Sequence, residues 1–396
     1  MRMSWLLVGV VWLSMQGVWA APQRPGSDNV VLEHLPRRDN DPLNAEIARL
    51  QLSRLKRPAD LEASVALARL HLQRFHRDAD PRDLGQAEAT VASWLRQPAP
   101  PADVLLLRAS VRQSNHQFEQ AISDLQQVLG QQPGNAQALL MLASIRQVQG
   151  KYEQAKESCG GLVIQDPPVA SICLGNVLAI NGQLPQALNL LARGAATVPG
   201  SGPVFLWAAA SQGEALGWAG RPKEAEQVLR AGLKVDPRDA YLKTALADLL
   251  LQANRGHEVI ALLRDDGRND NLLLRLAMAE KQAGRHADLV AHVQDLKARF
   301  AAAAERGDRV HLREEALLNL YLLNEADVAL RLAEANWAVQ KEVADCRLLL
   351  AAALAAHQPA RAMPAIAWLR NANLPDPALQ DLLRQLVPTP RLGGKP

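Results

Sequence analysis

A five-residue step recurs along this chain at nearly constant phase. Gly150–Ala155, Gly182–Ala187, Gly220–Ala225 and Gly256–Ala261 all read Gly-x-x-x-x-Ala. These glycines stand 32, 38 and 36 residues apart, and Pro133, Pro167, Pro199 and Pro237 punctuate the same stretch. A period near 34 with a small residue and a proline in fixed phase belongs to stacked helix-turn-helix units. Glycine takes positive φ and ends one helix before the next begins. Alanine lets the second helix approach the first, where a larger side chain would overpack the crossing. Proline cannot continue the second helix and sets the bend into the next unit.

Two units align at every position. Leu105, Arg108, Ala109, Arg112, Phe118, Ala121, Leu125, Val128 and Pro133 are followed 34 residues on by Leu139, Leu142, Ala143, Arg146, Tyr152, Ala155, Cys159, Leu162 and Pro167. This pattern resembles the tetratricopeptide repeat, with a small residue on the first helix and a second helix that opens with an aromatic and then Ala. The resemblance implies an all-α, right-handed solenoid of stacked helix pairs. Arg112 and Arg146 stand where that family usually has an aromatic, and Leu249 where a small residue is expected. The five-residue step continues at His116–Ala121, Asn324–Ala329 and His357–Ala362, while Gly284 is followed by Leu289. Upstream, residues 61–75 and 82–96 read as another pair, with Leu61, Val65, Ala68 and Leu72 at helical spacing. The array is expected over residues 43–387, with 43–56 and 376–387 as capping helices.

The ends are different. Arg2, the apolar run Trp5–Leu13 and the small residues of Val18-Trp-Ala20 read as a signal peptide over residues 1–20, cleaved after Ala20. The run is short for a membrane span before Ser14 and Gln16 interrupt it; an uncleaved anchor is the alternative. Residues 21–42 read as a flexible linker and 388–396 as a disordered tail. Without the leader the chain is expected to be soluble, periplasmic or secreted, with no transmembrane segment.

Charge is nearly balanced, 44 Lys and Arg against 41 Asp and Glu, and spread in both signs. That is a solvated surface and not a nucleic-acid footprint. Aromatic residues make up only 4%, which fits small-residue helix packing. In an oxidising compartment, Cys159 and Cys173 on neighbouring helices either bond to each other or sit as small buried apolar residues; Cys346 is expected to stay unpaired. No catalytic or metal constellation has the required spacing. His257-Glu258 lacks a second His, and His286 and His292 point to different helix faces. No enzyme activity, metal or cofactor is expected.

The concave groove remains. Carrying over the groove positions that the resemblance implies gives Ser110, Gln113, Ser114, Ser144, Gln147, Asn176, Trp207, Glu214, Trp218, Lys243 and Asn254. This wall is polar and nearly neutral. It offers no Lys or Arg over residues 102–199 for the clamp with which some family members hold acidic tails, although Arg112 and Arg146 lie one step away. Glu214 between two indoles suits a wet groove better than a dry core; the competing reading packs the Trp rings between repeats. The resemblance implies a scaffold that holds protein or peptide partners, and with the leader the expectation is a task in cell-envelope assembly. The alternative is an accessory of polysaccharide export or wall remodelling, since Trp and amide groups also suit glycans.

Overall fold

The computed structural model describes Ser27 and residues 41–78 and 80–387. The expected signal peptide, most of the linker and the expected tail lie outside the described residues. The chain divides into two compact units, Met1–Ala45 and Glu46–Pro396. Of the first, only Ser27, Asp41 and the start of α1 are described; all the helix pairs belong to the second.

Among the described residues there is no strand. After α1 (Pro42–Lys56), the helices come in pairs: α2 (Leu61–Asp78) with α3 (Pro81–Leu95), α4 (Ala102–Ser114) with α5 (Phe118–Gln131), α6 (Ala136–Val148) with α7 (Tyr152–Gly160), and α8 (Pro167–Ile180) with α9 (Leu184–Thr197). Then come α10 (Pro203–Trp218) with α11 (Pro222–Val235), α12 (Ala240–Gln252) with α13 (Gly256–Leu263), and α14 (Asp270–Gln282) with α15 (His286–Glu305). In the next pair, α16 (Leu312–Leu317) runs into a π-helical turn, Leu318–Leu323, before α17 (Ala326–Val339). Last come α18 (Val343–Ala355), a 3₁₀ turn at Pro359–Ala362 continuing into α19 (Met363–Ala372), and α20 (Pro377–Leu386).

One device ends the first helix of most pairs. His116, Gly150, Gly182, Gly220, Asn254, Gly284, Asn324 and His357 all have φ between 54° and 76°. At seven of these the next amide reaches back five residues, as in Gln117 N to Arg112 O (2.8 Å), Lys151 N to Arg146 O (2.7 Å) and Arg255 N to Leu250 O (2.9 Å); after Asn324, behind the π-helical turn, Glu325 N reaches back six, to Asn319 O (2.8 Å). This is the Schellman closure, which satisfies carbonyls the helix would otherwise orphan. Five residues after each left-handed position stands a crossing residue. Ala121, Ala155, Ala187, Ala329 and Ala362 are fully buried and Ala225 nearly so.

One expectation is corrected here, and one departure from the repeat pattern finds its reason. Gly256 is not a turn residue; it is the first residue of α13, and Asn254 holds the left-handed turn. The crossing position of that pair is therefore Val259, which is fully buried, while Ala261 is exposed. Arg112 and Arg146 are the second case. They replace an aromatic because they reach across to their own second helix. Arg112 bonds Asp124 (2.6 Å) and Arg146 bonds Ser158 (2.6 Å).

The array also winds back onto itself. Lys341 N donates to Val148 O (2.7 Å), Tyr152 Oη donates to Lys341 O (3.2 Å) and Trp368 Nε1 donates to Tyr152 Oη (2.6 Å). Trp337 meets Trp368 edge-on at 5.7 Å. One apolar cluster spans Ile172, Leu184 and Leu191 together with Leu349, Ile366 and Leu379. The turns of early pairs thus pack on the loops of late ones. At Gly182 a side chain would collide with the Ala372 carbonyl oxygen and lie 2.7 Å from that of Asn373. Gly284 has nothing near it.

That contrast gives a controlled experiment. Gly182 (φ 71°) and Gly284 (φ 70°) share one backbone conformation. Ala at either position incurs about 1–2 kcal/mol of left-handed strain. Gly182→Ala is expected to lose a further ~1–3 kcal/mol, because backbone carbonyls cannot rotate away. Urea unfolding of the two variants measures the difference; equal losses would mean the turn-to-loop contact carries no weight.

Candidate functional site

The first helices of the pairs present a common face. Six residues before each left-handed turn stand Ser110, Ser144, Asn176, Glu214 and Asp248 on α4, α6, α8, α10 and α12, each partly exposed. Thirteen before the turn stand Trp207 on α10 and Tyr241 on α12. The face changes along the array, from hydroxyl and amide groups on α4 to α8 to carboxylates on α10 and α12.

Ser110 Oγ donates to Leu106 O (3.0 Å), and Gln113 Nε2 reaches Ser144 Oγ (3.4 Å), tying α4 to α6. Ser114, Gln147 and Asn176 are half-buried on the same face. Trp207 and Trp218 do not stand free. Trp207 packs against the clusters around Cys173 and Val177 and around Ala208 and Ala215, and Trp218 joins the cluster that includes Leu379. Their rings help join repeats, while each residue remains partly exposed.

Two further site residues fall elsewhere. Lys243 is 8% exposed and pairs with Asp266 (2.6 Å), so it ties α12 to the loop before α14. Asn254 is the left-handed turn residue itself. Both displacements have the same origin as the misplaced Gly256. A phase anchored two residues late selects Lys243 where Tyr241 belongs. Nothing in the local composition marks that slip, because Asn serves the turn nearly as well as Gly.

Tyr241 is the main residue missed. Its hydroxyl donates to Glu214 Oε2 (2.9 Å), linking α12 to α10 across the face. Tyr241 as a residue is 58% exposed, so water reaches the pair from one side. Burial pushes Glu214 up to about 7, against the hydrogen bond from Tyr241, with Glu342 and Asp248 adding to the rise and Arg313 opposing it. Burial and then Glu214 hold the Tyr241 hydroxyl well above its ordinary range. Asp248 is held by Arg275, Nε to Oδ1 at 2.8 Å and Nη2 to Oδ2 at 2.9 Å. Arg313 binds Asp345 (2.6 Å) and Glu342.

Away from the face, Cys159 and Cys173 are joined by a disulfide with Cα atoms 5.6 Å apart, and Cys346 is free and buried. A cavity of about 310 Å³ lies between His116, Phe118 and Lys151 on one side and Val339 and Lys341 on the other; no residue of the concave face lines it. Among the described residues no group of three His, Cys, Asp or Glu side chains is placed to hold a metal, and no helix is long and apolar enough to cross a membrane.

The position of Glu214 predicts a pH dependence. Its folded pKa lies above the unfolded value, so the folded state holds the proton more tightly. Stability is then fully present below the unfolded carboxyl range and declines as pH rises towards about 7. Glu214→Gln is expected to flatten that decline. Urea midpoints of wild type and variant at acidic and neutral pH test this; parallel curves would show that Glu214 does not titrate in this window.

Residues 113–173 match the tetratricopeptide repeat family model. The crystal structure of the APC/C hetero-tetramer Cut9–Hcn1 is similar, with a TM-score of 0.54 at 13% identity over 87% of this chain and 67% of that one. TTC0263, a thermophilic tetratricopeptide repeat protein in Thermus thermophilus, is 21% identical over 52% of this chain and 99% of that one, with a TM-score of 0.37, too low to bear on the fold. No curated protein matches the chain. The chain carries the tetratricopeptide repeat, matched in residues 113–173 and continued as the same fold by the helix pairs on either side.

Proposed function

We propose that this protein is an exported, periplasmic scaffold that holds an extended protein or peptide segment against its concave face, in a task of cell-envelope assembly. The fold itself suggests a protein–protein interaction scaffold. The observation that carries the reading is the run of half-exposed Ser110, Ser144, Asn176 and Glu214 on successive first helices. Hydroxyl, amide and carboxylate groups at repeat spacing suit the hydrogen-bonding groups of a peptide backbone better than they suit a core. The proposed role is non-catalytic. A glycan partner is the weaker alternative, because stacking on sugars calls for open indole faces and both wall tryptophans are packed into clusters. The leader read from Arg2, Trp5–Leu13 and Val18-Trp-Ala20 supports export.

Two measurements test these statements. Crosslinked capture in the native envelope should recover partners with wild type, lose them when Asn176→Arg and Ser144→Arg obstruct the wall, and keep them with Glu153→Arg on the outer face of α7. Partners retained by the wall double variant would overturn the groove assignment. Intact-mass measurement of protein expressed with its own leader should give a chain that begins at Ala21. A product that keeps residues 1–20 in the membrane fraction would overturn cleavage.

A further inference from the structure

We infer that the α10–α12 stretch of the concave face recognises a basic side chain, Lys or Arg, within the partner's extended segment; this deepens the scaffold reading and rests on it. The face is neutral from Ser110 to Asn176 and turns acidic only at Glu214 and Asp248. The two carboxylates are not equivalent. Arg275 takes both oxygens of Asp248. Glu214 accepts one hydrogen bond, from the Tyr241 hydroxyl, and among the described residues no cation pairs with it. Arg313, the guanidinium that acts on Glu214, is already engaged by Asp345 and Glu342. Glu214 is thus left without an ion pair among the described residues, on a partly exposed stretch of the wall.

The aromatic component points the same way. Tyr241, 58% exposed as a residue, stands beside that carboxylate. A guanidinium or ammonium seated there meets a carboxylate oxygen and a ring face together, the two groups that attract a cation. The surrounding protein lowers the effective dielectric, so the pairing counts for more than it would on an open surface. An acidic segment meets the opposite: repulsion from Glu214 with no free cation on α10 or α12 to offset it, since Lys243 is spent on Asp266. Charge complementarity therefore chooses the occupant of this stretch and orients the segment.

The probe is a fluorescent Gly/Ser peptide with interspersed Arg and Lys, compared with a counterpart carrying Asp and Glu at the same places, titrated into the full-length mature chain by anisotropy. The basic peptide is expected to bind and the acidic one not. Glu214→Gln and Tyr241→Ala should each weaken the basic peptide by about tenfold or more. Glu153→Gln, which removes a carboxylate 83% exposed on α7, should leave affinity unchanged. Thermal melts check folding, and Tyr241→Ala, at an exposed ring, carries the test if Glu214→Gln is unstable. Failure of the basic peptide to bind, equal affinity in wild type and both wall variants, or an equal loss in Glu153→Gln would each overturn the inference. If Asn176→Arg with Ser144→Arg abolishes partner capture while the basic peptide ignores Glu214→Gln, the scaffold stands and the cation site falls.

Discussion

Ending one helix within a single residue, so that the next begins at close range, is what the rest of this molecule needs. The left-handed residue and the amide that reaches back five positions do the first part. The small crossing residue five positions later does the second. Each half is useless alone. Without the closure the second helix starts at a different angle; without Ala121 or Ala155 it stands too far away to bury the first. Stacking then follows, because a helix pair cannot cover its own apolar face and must use the next pair.

The return of late pairs onto early turns adds a second requirement to some of the same residues. Gly182 satisfies the left-handed turn and also leaves room for the backbone at Ala372 and Asn373. His116, Asn254, Asn324 and His357 meet only the first requirement with side chains in place. The close backbone approach accounts for Gly at position 182, whereas Gly284 has open space around it. It also fixes which elements look into the concavity. Arg313 and Glu342, at the starts of α16 and α18, act on Glu214 of α10 because the array curls round, and no local pattern in the chain foretells that.

The helix pairs, their five-residue step and the neighbouring Cys159 and Cys173 were readable in the residues, since each depends on local geometry repeated many times. The face was readable only where the phase was secure. Ser110, Ser144, Asn176 and Glu214 come from pairs whose turn residue is Gly or whose spacing copies a neighbour. Lys243 takes the place of Tyr241 in the repeat phase because Gly256 mimics a turn residue two positions after the real one. The tryptophans serve packing as well. Trp207 and Trp218 lie on one helical stripe and stay partly exposed, but they also pack on late helices and the preceding repeat, contacts that come from residues far away in sequence.

The polar residues that break the family pattern separate structure from function by position. Four residues before the turn, each first helix faces its own second helix eight residues after the turn. There Arg112 meets Asp124, Arg146 meets Ser158 and Glu280 meets His292 (2.9 Å). Where the first member is apolar, so is the second: Leu178 with Leu190, Leu216 with Val228, Leu250 with Leu262 and Leu320 with Leu332. A buried polar group needs its partner, so the two positions change character together. Glu280 and Glu214 carry the same side chain. Glu280, four before Gly284, is buried and spent on His292 within its own pair. Glu214, six before Gly220, faces the concavity, and the one bond it accepts comes from a neighbouring first helix. Two residues of phase turn one carboxylate into a strut and leave the other to meet whatever enters the groove.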